Sequence, residues 1–203
     1  MKTVLLNILL MMFVTSLFAQ GKWVAKKDKD GIKIYSRTSI NSRFDDLKIV
    51  VDLPGTVQQL SDILLDVEQY KQWAYGTKIS TVIKKVSNTE LIYYSEVEVP
   101  WPATNRDFYA NFKVTLDSGS KSMRVVSSGM KNYQPEKANL VRIPMSKGLW
   151  YAYPLSDKKI HLEYILELDP GGSVPGWLLN MFSSKGPLQT FENLKQKMTL
   201  LNQ

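Results

Sequence analysis

Few residues in this chain could do chemistry. There is one histidine and no cysteine among 203 residues, so a thiol nucleophile, a disulfide and a thiolate metal site are all excluded. His161 alternates with Glu163 and Glu167 along an apolar run. A metal centre needs three or four converging ligands, and one histidine beside two carboxylates reads as a solvated strand face. The sequence contains no Gly-x-Ser-x-Gly elbow, no phosphate-cradling glycine loop and no His-Glu-x-x-His, which removes support for hydrolase, nucleotide-dependent and zinc-hydrolytic chemistry. What remains is a small set of polar side chains set into apolar patterns: Tyr93, Ser95, Arg106 and Tyr164. Groups of that kind can orient a ligand, whereas general acid–base catalysis needs positioned groups that titrate near the working pH.

Strand parity decides which way those side chains point, because successive residues face opposite sides of a sheet. On the run 91–99 the set Leu91, Tyr93, Ser95, Val97 and Val99 shares one face. On 106–116 the apolar set is Phe108, Ala110, Phe112, Val114 and Leu116, and Arg106 shares their parity. On 160–168 it is Ile160, Leu162, Tyr164, Leu166 and Leu168. Val141 and Trp150, on an expected strand over 139–152, complete the proposed lining. Alternation alone describes any half-buried sheet, so a filled core and a hollow one read alike. Arg106 would reach the apolar side near a strand end, where a charge must be paired or stay near water; it is a candidate for a lipid head group or carboxylate, or else an anchor for loop 100–105. Asp107 points to the other face as a structural acceptor.

The elements that position these faces follow from turn and cap signals. Strands are expected at 32–37, 44–53, 79–86, 90–99, 106–117, 122–129, 139–152 and 160–168, divided by Gly-, Asn-, Asp- and Ser-rich breaks short enough for hairpins. Residues 22–30 form a polar lead-in with an expected short helix. Thr56 followed by Gln59 is a capping box, and Val57, Leu60, Ile63, Leu64 and Val67 continue at helical spacing. After Asp169-Pro-Gly-Gly172, apolar residues recur at intervals of three and four from Val174 through Trp177, Leu178, Met181, Leu188, Phe191, Leu194 and Met198. That spacing predicts a long helix with one apolar face. Gly186-Pro187 marks a kink or a boundary within it. An antiparallel sheet holding such a helix is an α+β, helix-grip arrangement, with a ligand space between the two.

Composition sets the compartment and the partners. Lys2, an apolar stretch from Val4 to Val14, and Ser16-Leu-Phe-Ala19 have the layout of a signal peptide over residues 1–19, leaving residues 20–203 as a single domain exported to a periplasm or the extracellular space. The net charge is +7, with lysines scattered among acids and no arginine-rich tract. That pattern suits a solvated protein, with attraction to an anionic membrane surface second, and gives no reason to expect nucleic acid. Trp101, between Pro100 and Pro102, is a candidate gate or membrane-contacting loop tip.

Four passages in order resemble the START family, the lipid-transfer domains related to steroidogenic acute regulatory protein: Leu65-Asp66 with Tyr70 and Trp73; Pro100-Trp-Pro-Ala-Thr-Asn-Arg-Asp-Phe108; Gly148-Leu-Trp150 with Pro154; and Asp169-Pro-Gly-Gly-Ser-Val-Pro-Gly-Trp-Leu-Leu-Asn180 with Gly186-Pro187. The resemblance spans roughly residues 30–200. It implies a curved sheet around a C-terminal helix, binding of one hydrophobic molecule or lipid, no cofactor and no catalytic residues. Related helix-grip proteins include polyketide cyclases and aromatases, which form the alternative reading; an interaction module with a filled core is a further one. Some sterol-binding members carry a second arginine six residues after the first, and here that position is Phe112.

Overall fold

The computed structural model describes residues 21–202; the expected signal peptide over 1–19 lies outside them. Ten strands form one sheet: β1 (Val24–Lys29), β2 (Ile32–Arg37), β3 (Asp46–Pro54), β4 (Thr77–Lys85), β5 (Glu90–Val97), β6 (Arg106–Asp117), β7 (Ser122–Gly129), β8 (Val141–Arg142), β9 (Met145–Ser156) and β10 (Lys159–Asp169). Their spatial order is β1-β2-β3-β10-β9-β7-β6-β5-β4, with β8 beside β6. All pairings are antiparallel except the short β6–β8 contact. β3 meets β10 because β4 to β9, which separate them in the chain, all lie on the far side of β10, so the sheet joins residues more than a hundred positions apart.

Helix α1 (Val57–Leu65) begins at Thr56, whose hydroxyl accepts from the Gln59 amide while the Gln59 side chain accepts from the Thr56 amide. This reciprocal cap satisfies two of the donors a helix start leaves bare. A short α2 (Tyr70–Trp73) follows. Near the C-terminus, α3 (Gly176–Asn180) runs into a π-helical turn over Met181–Lys185 and then into α4 (Gly186–Leu200). Pro187 has no N–H to donate back along the ladder, and the Gly186 amide reaches the Met181 carbonyl five residues back. The expected kink at Gly186-Pro187 is therefore a local widening of one continuous helical path.

The core lies between the inner sheet face and the helices. Ile32, Ile49, Leu53, Ile160 and Leu162 from the sheet are fully buried with Leu60 and Leu64 of α1 and Phe191, Leu194 and Met198 of α4. Side chains fasten α4 to the rest: the Tyr75 amide donates to Thr190 Oγ1 (3.0 Å), Asn193 Nδ2 to the Trp73 carbonyl (3.0 Å), and Lys29 pairs with Glu192.

Two expectations are corrected. The lead-in at 22–30 is strand β1, fully exposed; its conformation comes from backbone pairing with β2, which side-chain periodicity cannot report. The expected strand 139–152 is divided into β8 and β9, because Pro144 lies between them and cannot donate to a ladder. Among the described residues no helix is long and apolar enough to cross a membrane.

Candidate functional site

A cavity of about 240 Å3 lies between the inner sheet face and the C-terminal helical segment. Its sheet wall carries Tyr93, Ser95 and Val97 from β5 and Phe108 and Phe112 from β6, with Trp150 from β9 and Tyr164 from β10. Met181, Phe182 and Phe191 close it from the helical side, and Trp73 and Tyr75 from the α2 region. The cavity thus brings eight of the sequence-predicted residues together: Tyr93, Ser95, Val97, Phe108, Phe112, Trp150 and Tyr164 from the strands, and Met181 from the helical segment. Phe108, Tyr164, Leu166 and Leu168 keep partly accessible surface although they lie beneath the helical cover. That surface faces the cavity.

Aromatic edges shape the wall. Tyr93 meets Tyr70, Phe108 and Phe112 in edge-to-face contacts with centroids 5.7 to 6.2 Å apart, a geometry that suits the ring quadrupoles. At the other end the Trp150 and Tyr164 rings lie 4.2 Å apart at a 38° tilt, and each lies 5.7 Å from Phe191 of α4. Gly148 makes room for this group: a Cβ there would lie 3.3 Å from the Tyr164 ring.

Polar groups on the wall are neutral. Burial pushes the Tyr93 phenol up to about 12, against a lesser opposing effect from its hydrogen bond with Ser127. Burial also drives the Tyr164 and Tyr70 phenols upward. All three remain protonated at neutral pH. Ser95 is engaged, its hydroxyl donating to the Ile79 carbonyl at 3.0 Å. Ser127 and Ser146, which parity on β7 and β9 would have supplied had those strands been followed inward, also line the cavity.

Three predicted residues lie elsewhere. Arg106 is buried, 1% exposed, but does not line the cavity. Its guanidinium donates to the Thr104 carbonyl and, at 3.0 Å, to the Ser173 carbonyl, tying loop 100–105 to the segment before α3. Desolvation lowers its pKa. Val141 packs beside Gly171 and Gly172, whose positive φ values of 68° and 61° turn the chain toward the helices. Trp177 is 43% exposed and outside the cavity: α3 is short, and Leu178, with Met181 of the π-helical turn that follows, packs inward against Val99. The broad apolar helix face expected from the spacing assumed one unbroken α-helical register, which the π-helical turn does not keep. Trp101 is 90% exposed, on a loop whose Val99 and Ala103 pack against α3.

On the opposite sheet face, Asp107 accepts two bonds from Arg142, at 2.7 and 2.9 Å, with both side chains essentially sealed from solvent. Arg142 also donates to the carbonyls of Lys131 and Gln134 (3.0 Å each) and Pro135. Asp107 is thus a structural acceptor that pins the 130–144 segment over β5 and β6. His161 lies on that outer face as well, with Nδ1 2.8 Å from Asp52 Oδ1. Among the described residues, no three His, Cys, Asp or Glu side chains gather as metal ligands.

The START domain model matches residues 15–203. The chain belongs to the START domain family. As a START domain it is 29% identical over 169 residues to the mouse phosphatidylcholine transfer protein, covering 81% of this chain and 78% of that one. It is 27% identical over 173 residues to an uncharacterised protein of Pseudomonas aeruginosa, covering 85% of each. Among solved structures, a STAR-related lipid transfer protein from Xanthomonas axonopodis superposes with a TM-score of 0.79 at 29% identity, over 87% of this chain and 98% of that one. An aromatase/cyclase from Streptomyces shares the fold alone, at a TM-score of 0.54 and 12% identity over 76% of this chain and 93% of that one.

Proposed function

We propose that this START domain binds one lipid molecule in the cavity between its sheet and its C-terminal helical segment, and carries it between membranes. The observation that supports this most directly is a partly accessible wall of Phe, Tyr, Trp, Leu and Val side chains beneath the helical cover, with no Asp, Glu, Lys, Arg or His among its lining residues. Burying apolar ligand surface against such a wall is favourable by roughly 25 cal/mol per Å2 before ordering costs. Similarity to a phosphatidylcholine transfer protein and to a bacterial STAR-related lipid transfer protein supports the same reading. The cyclase alternative loses ground because the phenols of Tyr70, Tyr93 and Tyr164 are all pushed further from neutrality.

Loading and release pass between the helical segment and the α2 region, where half-buried Tyr75 and Phe182 line the cavity. Trp101 projects from the neighbouring loop, and Trp177 and Leu179 from α3. These exposed apolar side chains make a transient contact with the membrane surface while the lipid crosses. The protein works after export, with residues 1–19 removed as a signal peptide. Two outcomes of native mass spectrometry on mature protein from its own host's exported fraction test the reading. A discrete lipid mass at one-to-one stoichiometry, on a chain beginning at Gln20, is the expected result; an empty protein that takes up no member of a lipid panel overturns it in favour of a filled-core module.

A further inference from the structure

We infer that the cavity takes its lipid polar end first and selects a neutral, oxygen-bearing end: a hydroxyl, ester or ketone, in place of a phosphate or a carboxylate. This rests on the lipid-binding reading and narrows it to a ligand class.

Three hydroxyls gather on the sheet wall. Ser127 hydrogen-bonds the Tyr93 phenol. The Tyr164 hydroxyl and the Ser127 Cβ each lie 3.4 Å from the position a Cβ on Gly148 would take, so Tyr164 on β10 and Ser127 on β7 flank the gap that Gly148 leaves on β9 between them. Among the described residues no protein group hydrogen-bonds the Tyr164 hydroxyl. An acyl chain laid over this group would leave it unsatisfied in apolar surroundings, at the cost that attends any buried polar group without a partner. A ligand oxygen placed there restores the bond, and the apolar remainder then runs along Phe108, Leu166 and Leu168 toward Met181 and Phe182.

Charge is excluded by the same wall. A phosphate or carboxylate drawn inside would meet no cation, since none of the lining side chains is a lysine, an arginine or a histidine. Neither buried arginine among the described residues lines the cavity: Arg106 is held by the Thr104 and Ser173 carbonyls and Arg142 by Asp107. An ion without a counter-charge is the costliest thing to enclose. Size points the same way. At about 240 Å3 the chamber is below the range of roughly 300–1,000 Å3 usual for small-ligand pockets, and a two-chain phospholipid would have to remain largely outside it.

The test uses the full mature chain and three ligands that share one twelve-carbon chain and differ only at the head: 1-monolauroylglycerol, laurate and dodecylphosphocholine. Each is titrated below its micellar concentration, with dioleoylphosphatidylcholine vesicles as a fourth arm. Monolauroylglycerol is expected to bind one-to-one and at least about tenfold more tightly than either charged analogue, a factor equivalent to one unpaired polar contact. Tyr164→Phe should weaken monolauroylglycerol by about five- to tenfold while leaving laurate unchanged; Tyr93→Phe provides the same readout if the first variant folds poorly. Equal or tighter binding of dodecylphosphocholine, laurate or dioleoylphosphatidylcholine overturns the neutral-head selection and leaves the lipid-binding reading standing. Unchanged monolauroylglycerol affinity in both phenylalanine variants overturns the hydroxyl anchor. If none of the four lipids binds, the lipid-binding reading falls and this inference with it.

Discussion

Replacing Asp107 with alanine should cost the fold about 3–5 kcal/mol, the usual consequence of removing one partner from a buried ion pair. The structure places the cost toward the lower end of that range. Arg142 would keep its bonds to the carbonyls of Lys131, Gln134 and Pro135, but its guanidinium, 1% exposed at the side chain, would lose the carboxylate hydrogen-bonded to it. Taking about 3 kcal/mol and a urea dependence of roughly 2 kcal/mol per molar, the unfolding midpoint should fall by about 1.5 M. Equilibrium urea unfolding followed by tryptophan fluorescence measures this directly. The double variant Asp107→Leu with Arg142→Met should recover part of the loss, since both charges then leave the interior together, and recovery should be incomplete because three backbone carbonyls lose a donor. Lipid loading per folded molecule should be unaffected, as the pair lies on the sheet face away from the cavity. A loss below about 1 kcal/mol, the range of exposed pairs, would refute the burial argument. Abolished loading in fully folded protein would refute the assignment of Asp107 to structure.

At the helical cover, Gly186→Ala should destabilise the protein where the same change in an ordinary helix stabilises it by about 1 kcal/mol: the new Cβ would lie 2.7 Å from the Met181 carbonyl oxygen and 3.2 Å from Tyr75, and a lower thermal midpoint together with altered loading rates is expected, while a raised midpoint would show that the π-helical turn relaxes freely. Leu178→Asp should unfold the α3 contact and cost several kcal/mol as an unpaired buried carboxylate, whereas Trp177→Asp, at a 43% exposed position, should change stability by less than about 1 kcal/mol and slow transfer between vesicles without emptying the cavity. Alkaline pH should also weaken the fold through Tyr93. With its folded pKa raised from 10 to about 12, the native state holds a proton that the unfolded chain releases, so this contribution is complete below pH 10 and is lost as pH rises through about 12, on the order of 2–3 kcal/mol in total; Tyr93→Phe should flatten that part of the stability profile, and an unchanged profile would count against burial of the phenol.

Much of this arrangement was legible one residue at a time. Alternation placed Tyr93, Phe108, Phe112 and Tyr164 on one face because the strand period is two and a single core lies on one side of the sheet. The capping box at Thr56 and Gln59 was readable because every interacting group lies within one turn. The same short range explains what was missed. Strand β1 has no apolar face, and only the neighbouring β2 makes it a strand. Trp177 shared the spacing of the apolar helix stripe, yet the π-helical turn after α3 shifts the register, and Leu178 and Met181 take the buried positions.

Arg106 shows most clearly where sequence alone stops. Its parity and burial follow from the chain, but its partners are the carbonyls of Thr104 and Ser173, one nearby and one 67 residues away, and no pattern of side chains announces a backbone acceptor. From β2 onward, apart from the break at Pro144, the sequence by itself determined the order of strands and main helices, the apolar inner face and the shortage of ionisable groups on it, since these are properties of local periodicity and composition. Tertiary structure alone decided that the face encloses a cavity, that Ser127 and Tyr164 flank Gly148, and that Arg106 stands apart from both. Packing volume and hydrogen-bond partnership are relations between distant segments, and they come into being only when those segments are brought together.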